Sequence, residues 1–224
     1  MKYLYETHMH TSEGSGCGRS SGAEQARAYK ERGYQGIIVT DHFINGYSSC
    51  PKGSRMPWNK KMEYVIAGYW AARAEGKRIG LDVFFGWEFT IHGSDFLTYG
   101  LDFDFLLAHP GLDKLEVAEY SALVRENGGF LAQAHPYRDR PWVEYKFPVE
   151  PQYVDAIEIY NASDDPLFNE KAQAFAAKHE LPVMAGGDSH SLSHMPSGIK
   201  LESPAKTIFD IIRAIKERDV GLIL

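Results

Sequence analysis

The sequence predicts an α/β fold whose largely parallel sheet closes, or nearly closes, into a barrel. Apolar strands alternate with helices along the chain, an order typical of a parallel sheet with helices outside it. Residues that can bind metal follow at least five separate strands, so the carboxyl ends of these strands must converge. A (β/α) barrel brings them together at its C-terminal rim, whereas an open sheet gathers ligands near one switch point. We therefore expect one barrel domain over residues 1–224.

The first strand and the first helix are indicated by their ends. The apolar opening Tyr3-Leu4-Tyr5 starts a strand that runs to His10. A loop rich in glycine and serine follows, and such a loop lets the backbone approach a ligand closely. Ser21 and Glu24 then form a capping box, which starts a helix that runs to about Arg32.

The second strand follows this helix. Residues 36–40 form a continuous, mainly β-branched run, which is typical of a strand buried on both faces of a parallel sheet. The run delivers Asp41-His42 at its carboxyl end. Residues 43–57 are irregular and too long for an ordinary connection, so we expect this stretch to cover a site.

The rest of the chain repeats the alternation of strand and helix. Further strands are predicted at residues 81–86, 96–100, 130–134, 156–161, 182–187 and 220–224. Helices are predicted at residues 59–75, with Asn59 as its cap, and at 114–127, 166–179 and 204–218.

The charge and composition of the chain limit the classes of function that it can have. The net charge is −6, from 24 basic and 30 acidic residues, which argues against nucleic-acid binding through a basic face. A small anionic substrate stays compatible with this charge, because bound cations can reverse the local field. The chain shows neither a signal-peptide pattern nor an apolar run of membrane-spanning length, so we expect a cytoplasmic protein. Cys17 and Cys50 are too few for a disulfide scaffold and indicate a reduced thiol or a metal ligand.

His8 and His10 are the first candidate metal ligands. They lie two residues apart on a strand, so both imidazoles face the same side and can bind one divalent ion. For this pair alone, two solvated or hydrogen-bonded histidines are the favoured explanation. Four later segments favour metal, because each ends an apolar run with further ligand-type residues: Thr40-Asp41-His42, Gly86-Trp87-Glu88, Ala134-His135-Pro136 and Gly187-Asp188-Ser189-His190.

The acidic candidates have alternatives. Glu88 follows an apolar strand, where a carboxylate is costly to bury unless it is paired with an arginine or bound to metal, and the histidines favour metal. Asp188 and His190 repeat the spacing of His8 and His10. Asp41 is either a ligand or a carboxylate that orients a neighbouring imidazole.

The remaining histidines and a serine mechanism are weaker candidates. We interpret His92, His109, His179 and His194 as structural or loop residues. A Ser-His-Asp hydrolase is disfavoured because the sequence shows no nucleophile elbow at a strand–helix turn.

Together these motifs resemble the PHP (polymerase and histidinol phosphatase) superfamily of metal-dependent phosphoesterases over nearly the whole chain. The resemblance implies a distorted (β/α)7 TIM-like barrel with two or three divalent metal ions at the C-terminal rim. It implies that His8, His10 and Asp188 hold the first metal and that Glu88 bridges to a second, which His135 also binds. It also implies that His42 and His190 bind a third. Zinc, manganese and iron all suit mixed histidine and carboxylate sites.

Two positions depart from the family pattern. Many members carry a further Asp or His about five residues after the opening motif, and Ser15 stands at that spacing here. The loop up to Thr40-Asp41-His42 is about two residues longer, which moves the position to Cys17, so a thiolate replaces the usual ligand; Glu13 is the nearest alternative. Many also carry a His a few residues after the bridging Glu. Asp95 stands there, with His92 and His109 as competitors, and its harder oxygen could change metal preference.

The resulting hypothesis is hydrolysis of a small-molecule phosphate monoester by a metal-activated water, with Glu88, Asp188 and His190 as catalytic residues. Three loop arginines could reach the rim and bind phosphate: Arg19, Arg138 and Arg140. A metal-dependent amidohydrolase and a non-catalytic, metal-stabilised domain are the alternatives. Histidinol phosphate is suggested only by the family name, and the sequence leaves the substrate, the metal and the oligomeric state open.

Overall fold

The structure is a computed structural model that describes residues 2–144 and 146–224. It confirms the α/β class. The strands are β1 Tyr3–Met9, β2 Gly36–Val39, β3 Asp82–Ile91, β4 Ser94–Tyr99, β5 Phe130–Gln133, β6 Ala156–Asn161, β7 Val183–Gly186, β8 Gly198–Leu201 and β9 Gly221–Ile223. The α-helices are α1 Gly22–Glu31, α2 Trp58–Ile79, α3 Phe103–Ala108, α4 Val117–Glu126, α5 Pro166–Lys178 and α6 Ile208–Lys216. Short 3-10 turns lie at Leu112–Lys114 and Pro151–Tyr153.

The strands form one curved sheet that nearly closes, as the barrel prediction requires. Their order is β7-β6-β5-β4-β3-β2-β1-β8-β9, so β1 to β7 follow each other in sequence. The far edges meet just beyond β7, where Ser189 pairs in parallel with Met9 of β1. There the His10 backbone N–H donates to the Ser189 carbonyl over 2.8 Å. This contact closes a seven-stranded barrel and brings the ends of β1 and β7 together.

The barrel is less regular than alternating strands and helices would produce. β4 runs antiparallel to both β3 and β5, because β3 and β4 are joined by a hairpin rather than by a helix. The two turn residues, His92 and Gly93, have φ values of 50° and 79°, which suit a primed hairpin turn. β8 was not predicted; this four-residue strand and β9, which confirms the predicted C-terminal strand, add an antiparallel flap to the β1 edge.

Several boundaries also differ from the predictions. β3 was expected to end at Gly86 but continues to Ile91, because the hairpin with β4 supplies a partner for every residue up to the turn. Glu88 therefore lies within a strand rather than after it. α2 starts at Trp58, directly after Pro57, so Asn59 is not its cap, and it runs on to Ile79. The capping box of Ser21 and Glu24 is confirmed at α1.

Two main apolar cores flank the sheet. The inner core joins inward-facing residues such as Tyr5, Tyr99 and Phe130 to Ile211 and Ile215 of α6. The outer core packs α2 to α5 against the other face of the strands, around Trp87 and Tyr120. The α6 residues in this inner core contact the first residues of β1, β5 and β6. α6 therefore packs at the end of the barrel opposite to the strand ends that carry the ligand-type residues. Within the described ranges, no helix combines the length and the apolar character that crossing a membrane would require.

Candidate metal centre

The nine predicted ligands lie together at the strand ends. Their ligand atoms form four overlapping groups, and within each group all of these atoms lie within 4.8 Å of one another. The groups are His8, His10 and Asp188; His8, Glu88 and His135; His42, Glu88 and Asp95; and His10, Cys17, His42 and His190. Because the groups share members, they form one continuous cluster of possible ligands.

Glu88 occupies the middle of this cluster. Its Oε1 lies 3.2 Å from Nε2 of His8 and 3.2 Å from Nε2 of His135. Its Oε2 lies 3.4 Å from Nε2 of His10 and 2.8 Å from Nδ1 of His42. Each carboxylate oxygen thus faces a different pair of imidazoles, which is the arrangement that a bridging ligand needs.

A bulge in β1 directs His8 and His10 into the barrel. The register with β2 shifts between Glu6 and Met9. At this shift Glu6 Oε1 accepts hydrogen bonds from the backbone N–H groups of Thr7 and His8, both over 3.0 Å. Tyr5 packs inside the barrel, so strict alternation would place His8 on the outer face. The extra residue of the bulge turns the following side chains to the inner face.

Three imidazoles are oriented through their second ring nitrogen. Nδ1 of His8 lies 3.0 Å from Glu158 Oε1, and Nδ1 of His190 lies 2.8 Å from the Asp188 carbonyl. Nδ1 of His10 lies 3.0 Å from the Ser15 hydroxyl. These contacts leave Nε2 of each ring free to bind a cation, and such partners fix both the tautomer and the ring orientation.

Ser15 and Asp41 hold His10 and the His42 backbone in place through hydrogen bonds. The Ser15 hydroxyl donates to Asp41 Oδ1 over 2.6 Å, so it accepts from Nδ1 of His10 and from the His42 backbone N–H. Asp41 also accepts two hydrogen bonds from Thr11. Of the two alternatives for Asp41, the geometry favours the orienting carboxylate, which acts through Ser15.

Cys17, rather than Ser15 or Glu13, joins the ligand group at the position where the sequence left the choice open. Glu13 instead accepts a hydrogen bond from the Gly22 backbone N–H at the start of α1. Burial raises the pKa of Cys17, but hydrogen bonds with His190 and His42 outweigh it and leave the pKa below its ordinary value. The site therefore favours a thiolate at Cys17.

Asp95 reaches the cluster because β4 is antiparallel, so its first residues lie at the rim where parallel strands end. Its side chain accepts a hydrogen bond from Thr90 over 2.6 Å. Neither competitor lies there. His92 is exposed and contacts Glu116 and Glu144, while His109 ends α3 and donates from Nδ1 to the Phe105 carbonyl.

Two ligand candidates adopt backbone conformations that L-residues rarely populate. The φ values are 29° for His135 and 47° for Asp188. Such conformations cost about 1–3 kcal/mol each and persist only where the surroundings hold them. At His135 the backbone N–H donates to Glu158 Oε2 over 3.0 Å, and Arg138 binds Asp188 Oδ2 over 2.7 Å. The strain lies at the two strand ends that aim these side chains into the cluster.

The pKa values of the two histidines of the opening motif, His8 and His10, are shifted in opposite directions. Burial lowers the pKa of His8, but Asp188, Glu158 and Glu88 outweigh it and raise the pKa well above its ordinary value. Burial and the neighbouring His190 and His42 lower the pKa of His10 well below its ordinary value. Carboxylates therefore decide the direction of the pKa shift at His8, whereas burial and two neighbouring imidazoles decide it at His10. A positive charge is favoured on the carboxylate side of the cluster.

The donor set fits divalent cations. Imidazole, carboxylate and thiolate are the side chains that bind zinc, and the first two also suit manganese and iron. Glu88 Oε2 and His42 Nδ1 are buried yet have no hydrogen-bond partner among the described residues, although they lie 2.8 Å apart. Buried polar atoms are rarely left without a partner, so a shared cation explains both.

The cluster opens into a cleft of about 620 Å³. Asp188 and His190 line its floor together with Cys17, His42 and Asp95. The walls come from the loop after β2 and the loop after β5, which contribute Tyr47, Lys52, Arg138, Arg140 and Trp142. The first loop is the stretch that the sequence predicted to cover a site. Of the three arginines proposed for phosphate binding, Arg138 and Arg140 line the cleft and Arg19 does not.

Glu158 and Asn161 are site residues that the sequence reasoning missed. Glu158 is fully buried on β6 and contacts His8, the His135 backbone and Asn161. Its signal was present, because Glu158 interrupts the apolar run Ala156 to Ile159 just as Glu88 follows an apolar strand. Asn161 had no such signal, since an asparagine at a strand end is common in turns.

Comparisons with known proteins agree with this geometry. Residues 166–220 match the PHP_C family, described as PHP-associated. A two-domain protein from Bacteroides vulgatus that contains a predicted PHP-like metal-dependent phosphoesterase shares the fold with a TM-score of 0.71 and 14% identity. The similarity covers 99% of this chain and 64% of the Bacteroides protein, so the chain spans less than two thirds of that relative.

Two further structures cover nearly the whole of both chains. A candidate metal-dependent phosphoesterase from Bifidobacterium adolescentis has a TM-score of 0.58 and 15% identity, over 99% of this chain and 98% of its own. An amidohydrolase from Chromobacterium violaceum, with bound sulfate and no metal, has a TM-score of 0.59 and 12% identity, over 95% and 96%. No curated protein sequence matched the chain. The matches confirm the PHP resemblance and the fold, and they do not bear on histidinol phosphate as a substrate.

Proposed function

We propose that this chain, which resembles the PHP superfamily in its motifs, its barrel fold and its C-terminal segment, is a metal-dependent hydrolase of small phosphate monoesters. The observation that carries the proposal is the bridging geometry of Glu88, whose two oxygens face four imidazoles beneath an open cleft. Single structural metal sites close their coordination within the protein. A bridged cluster with an open face suits catalysis instead.

Each side of the cluster has a role in this proposal. Two or three divalent ions, of zinc, manganese or iron, would be held by the nine ligand candidates: His8, His10, Cys17, His42, Glu88, Asp95, His135, Asp188 and His190. Bound there, such ions acidify a water molecule and neutralise charge on phosphoryl oxygens. Asp188 and His190 line the cleft, so they are placed to contact both the cations and the entering substrate.

Arg138 is the residue that favours a phosphate ester. It is held by Asp188 over 2.7 Å and by Asp164 over 3.3 Å, and it also lines the cleft. Burial opposes its charge, but Asp188 and Asp164 outweigh burial and raise the pKa of Arg138, so the guanidinium stays charged. Its Nε and Nη2 donate to Asp164, Asn161 and Asp188, so we assign Nη1 to a phosphoryl oxygen of the substrate.

A monoester is favoured over a diester by the number of ligands. The nine candidates in four groups are enough for partly filled shells that leave room for substrate oxygens. A monoester offers three terminal oxygens to such a site, whereas a diester offers two and an additional bulky arm.

Amide hydrolysis is the second candidate function, since the Chromobacterium protein named an amidohydrolase has the same fold.

The test compares p-nitrophenyl phosphate, its bis ester and p-nitroacetanilide, with metal content measured on the same samples. We expect the monoester to be cleaved fastest, with free phosphate as a competitive inhibitor and two or three metal ions per chain. Glu88→Gln and Asp188→Asn should lose both metal and turnover. His109→Ala is the matched control, because this histidine lies outside the cluster and should change neither.

Each alternative has its own result in this experiment. Faster cleavage of the bis ester, or a single metal ion in a fully active sample, would refute the monoesterase mechanism. Cleavage of the anilide alone would assign the chain to the amidohydrolases. Full metal content without any turnover would support a non-catalytic, metal-stabilised domain.

A further inference from the structure

The cleft above the cluster is larger than a phosphoryl group requires. Its volume is about 620 Å³, within the range of roughly 300–1,000 Å³ of sites that enclose whole metabolites. A water molecule takes up about 30 Å³ of the liquid, so a phosphoryl group of a few heavy atoms leaves most of the cleft to the rest of the substrate. The outer walls therefore contact the part of the substrate beyond the scissile phosphate.

Lys52 brings one positive charge to these walls. It belongs to the loop 43–57. This loop is hydrogen-bonded to the loop after β1, which carries Cys17: the Gly16 N–H donates to the Tyr47 carbonyl over 2.7 Å. Ser49 adds a hydrogen bond to the Glu13 carbonyl. The Lys52 ammonium lies 5.9 Å from the centre of the exposed Tyr47 ring. The loop is thus held in place while the ammonium stays open to the cleft.

Arg140 brings a second charge from a different loop. The Glu144 N–H donates to the His92 carbonyl, and the Val149 N–H donates to Gln133 Oε1, both over 2.9 Å. These bonds tie the segment after β5 to the β3–β4 hairpin and to β5. Among the described residues, the Arg140 guanidinium donates one hydrogen bond, to the neighbouring Asp139 carbonyl over 3.4 Å. This long bond leaves most of its donors available.

The charges of Lys52 and Arg140 differ from that of Arg138 in how they are balanced. Arg138 pairs with two carboxylates and is held against the cluster. Across residues 2–144 and 146–224, neither Lys52 nor Arg140 forms an ion pair with a carboxylate. In a chain with a net charge of −6, two such cations, which line one cleft from different loops, create a local site for an anion.

We infer that the substrate carries a second anionic group, separate from the scissile phosphate, and that Lys52 and Arg140 bind it. The inference rests on the proposed phosphomonoesterase function for the position of the first anion. Carboxylate and a second phosphate share the chemistry that two cations recognise, and both satisfy the inference. Tyr47 and Trp142, which are 57% and 69% exposed, line the same cleft as the two cations.

The experiment uses two compounds of equal length that differ at the far end. Glycerol 3-phosphate ends in a neutral alcohol and 3-phosphoglycerate ends in a carboxylate. Affinity is measured by calorimetry and kcat/KM by phosphate release, both on the metal-loaded protein. Fructose 6-phosphate and fructose 1,6-bisphosphate form a second pair, in which the additional anion is a phosphate. A preference in one pair alone identifies which anion the site takes.

We expect at least one anionic compound to bind about tenfold or more tightly than its neutral partner. A tenfold preference corresponds to about 1.4 kcal/mol, which one hydrogen bond to a charged group can supply. Lys52→Ala and Arg140→Ala should each reduce this preference, and Arg140→Lys should keep part of it. Arg19→Ala is the matched control: Arg19 is a cation whose backbone binds His190 but whose side chain lies outside the cleft lining, so the preference should persist.

Binding and turnover separate the two proposals. Equal affinity within both pairs, or equal losses in the Arg19→Ala and Arg140→Ala variants, would overturn the second-anion site even if all compounds are hydrolysed. A binding preference that depends on Lys52 and Arg140, without hydrolysis of any compound, would support the anion site and refute the phosphatase.

Discussion

Cys17 distinguishes this cluster from one built only of imidazoles and carboxylates. Its sulfur lies in a group with His10, His42 and His190, so three nitrogens and one sulfur surround one position. A set of this composition matches the softer ligands that zinc accepts, whereas the group of His42, Glu88 and Asp95 offers harder oxygens. One cluster can therefore hold cations with different preferences.

Alkylation tests the role of Cys17. A coordinated thiolate is shielded from reagents, whereas a free thiolate with a lowered pKa reacts quickly. We expect iodoacetamide to modify Cys17 slowly in the metal-loaded protein and at least tenfold faster after treatment with a chelator, as followed by mass spectrometry. Cys50 is an internal control, since it is buried and burial raises its pKa, so it should react slowly in both samples. Equal rates at Cys17 with and without metal would exclude it as a ligand.

Glu158 tests whether the residues behind the ligands matter. Its two oxygens hold Nδ1 of His8 and the backbone N–H of His135, both over 3.0 Å. Glu158→Gln keeps the shape but removes the charge that fixes the His8 tautomer. Loss of such a partner costs about 10–100-fold in metal affinity, which a competition titration with a chromophoric chelator measures. Glu180→Gln, on the exposed surface, should leave the affinity unchanged; the same affinity in both variants would refute this role.

The β3–β4 hairpin is the element that turns a regular barrel into this site. It carries Glu88 past the usual end of a strand and brings Asp95 back to the same rim. Behind it, the Tyr120 hydroxyl of α4 accepts from the Trp87 indole over 2.8 Å and contacts the Thr98 hydroxyl over 2.7 Å. The Tyr120 ring stacks on Phe89 with centroids 3.7 Å apart. One side chain thus joins both strands of the hairpin to a helix.

Tyr120→Phe should destabilise the fold while the ring packing is kept. The change leaves the buried Trp87 N–H without its acceptor, which costs about 1–3 kcal/mol in the free energy of unfolding. Urea unfolding followed by tryptophan fluorescence measures this cost. Tyr64→Phe, at a half-buried position on α2, serves as the control and should cost less than about 0.5 kcal/mol. Equal stability of the two variants would mean that this hydrogen-bond network contributes nothing.

At the scale of the molecule, the barrel gathers buried carboxylates that need positive charge. Glu88, Asp188 and Glu158 are at most 2% exposed and lie within one layer of imidazoles. Burial raises the pKa of each carboxylate, but neighbouring histidines outweigh it, together with Arg138 at Asp188, and the pKa values fall below their ordinary range. Because these buried carboxylates stay ionised, we expect bound divalent cations to increase the free energy of unfolding.

Removal of metal should therefore lower the melting temperature. A ligand at about 100 times its Kd stabilises the folded state by about 2.7 kcal/mol, and for chains of this length each kcal/mol shifts Tm by roughly 2–4 °C. We expect a chelator to lower Tm by about 5–10 °C in differential scanning calorimetry, with full recovery when metal is restored. His8→Ala should show a smaller shift, whereas His92→Ala, whose side chain contacts Glu116 and Glu144 rather than the ligand candidates, should keep the full shift. A Tm that ignores the chelator would contradict metal binding at the cluster.

The sequence alone determined the features that depend on a few neighbouring residues. The capping box at Ser21, the strand at 36–39 and the two-residue spacing of His8 and His10 are encoded locally by hydrogen-bonding groups and side-chain periodicity. The recurrence of ligand-type residues after apolar strands was sufficient to predict a barrel and seven members of the cluster, whereas Cys17 and Asp95 were predicted only through the family resemblance.

The tertiary structure decided what depends on partner strands. The bulge after Glu6 turns His8 inward, the antiparallel β4 returns Asp95 to the rim, and β6 places Glu158 behind His8. Register and strand direction are set by contacts between segments far apart in the chain, so local patterns cannot specify them. The positive φ values of His135 and Asp188 have the same origin, because only the surrounding hydrogen bonds hold a strained backbone in place.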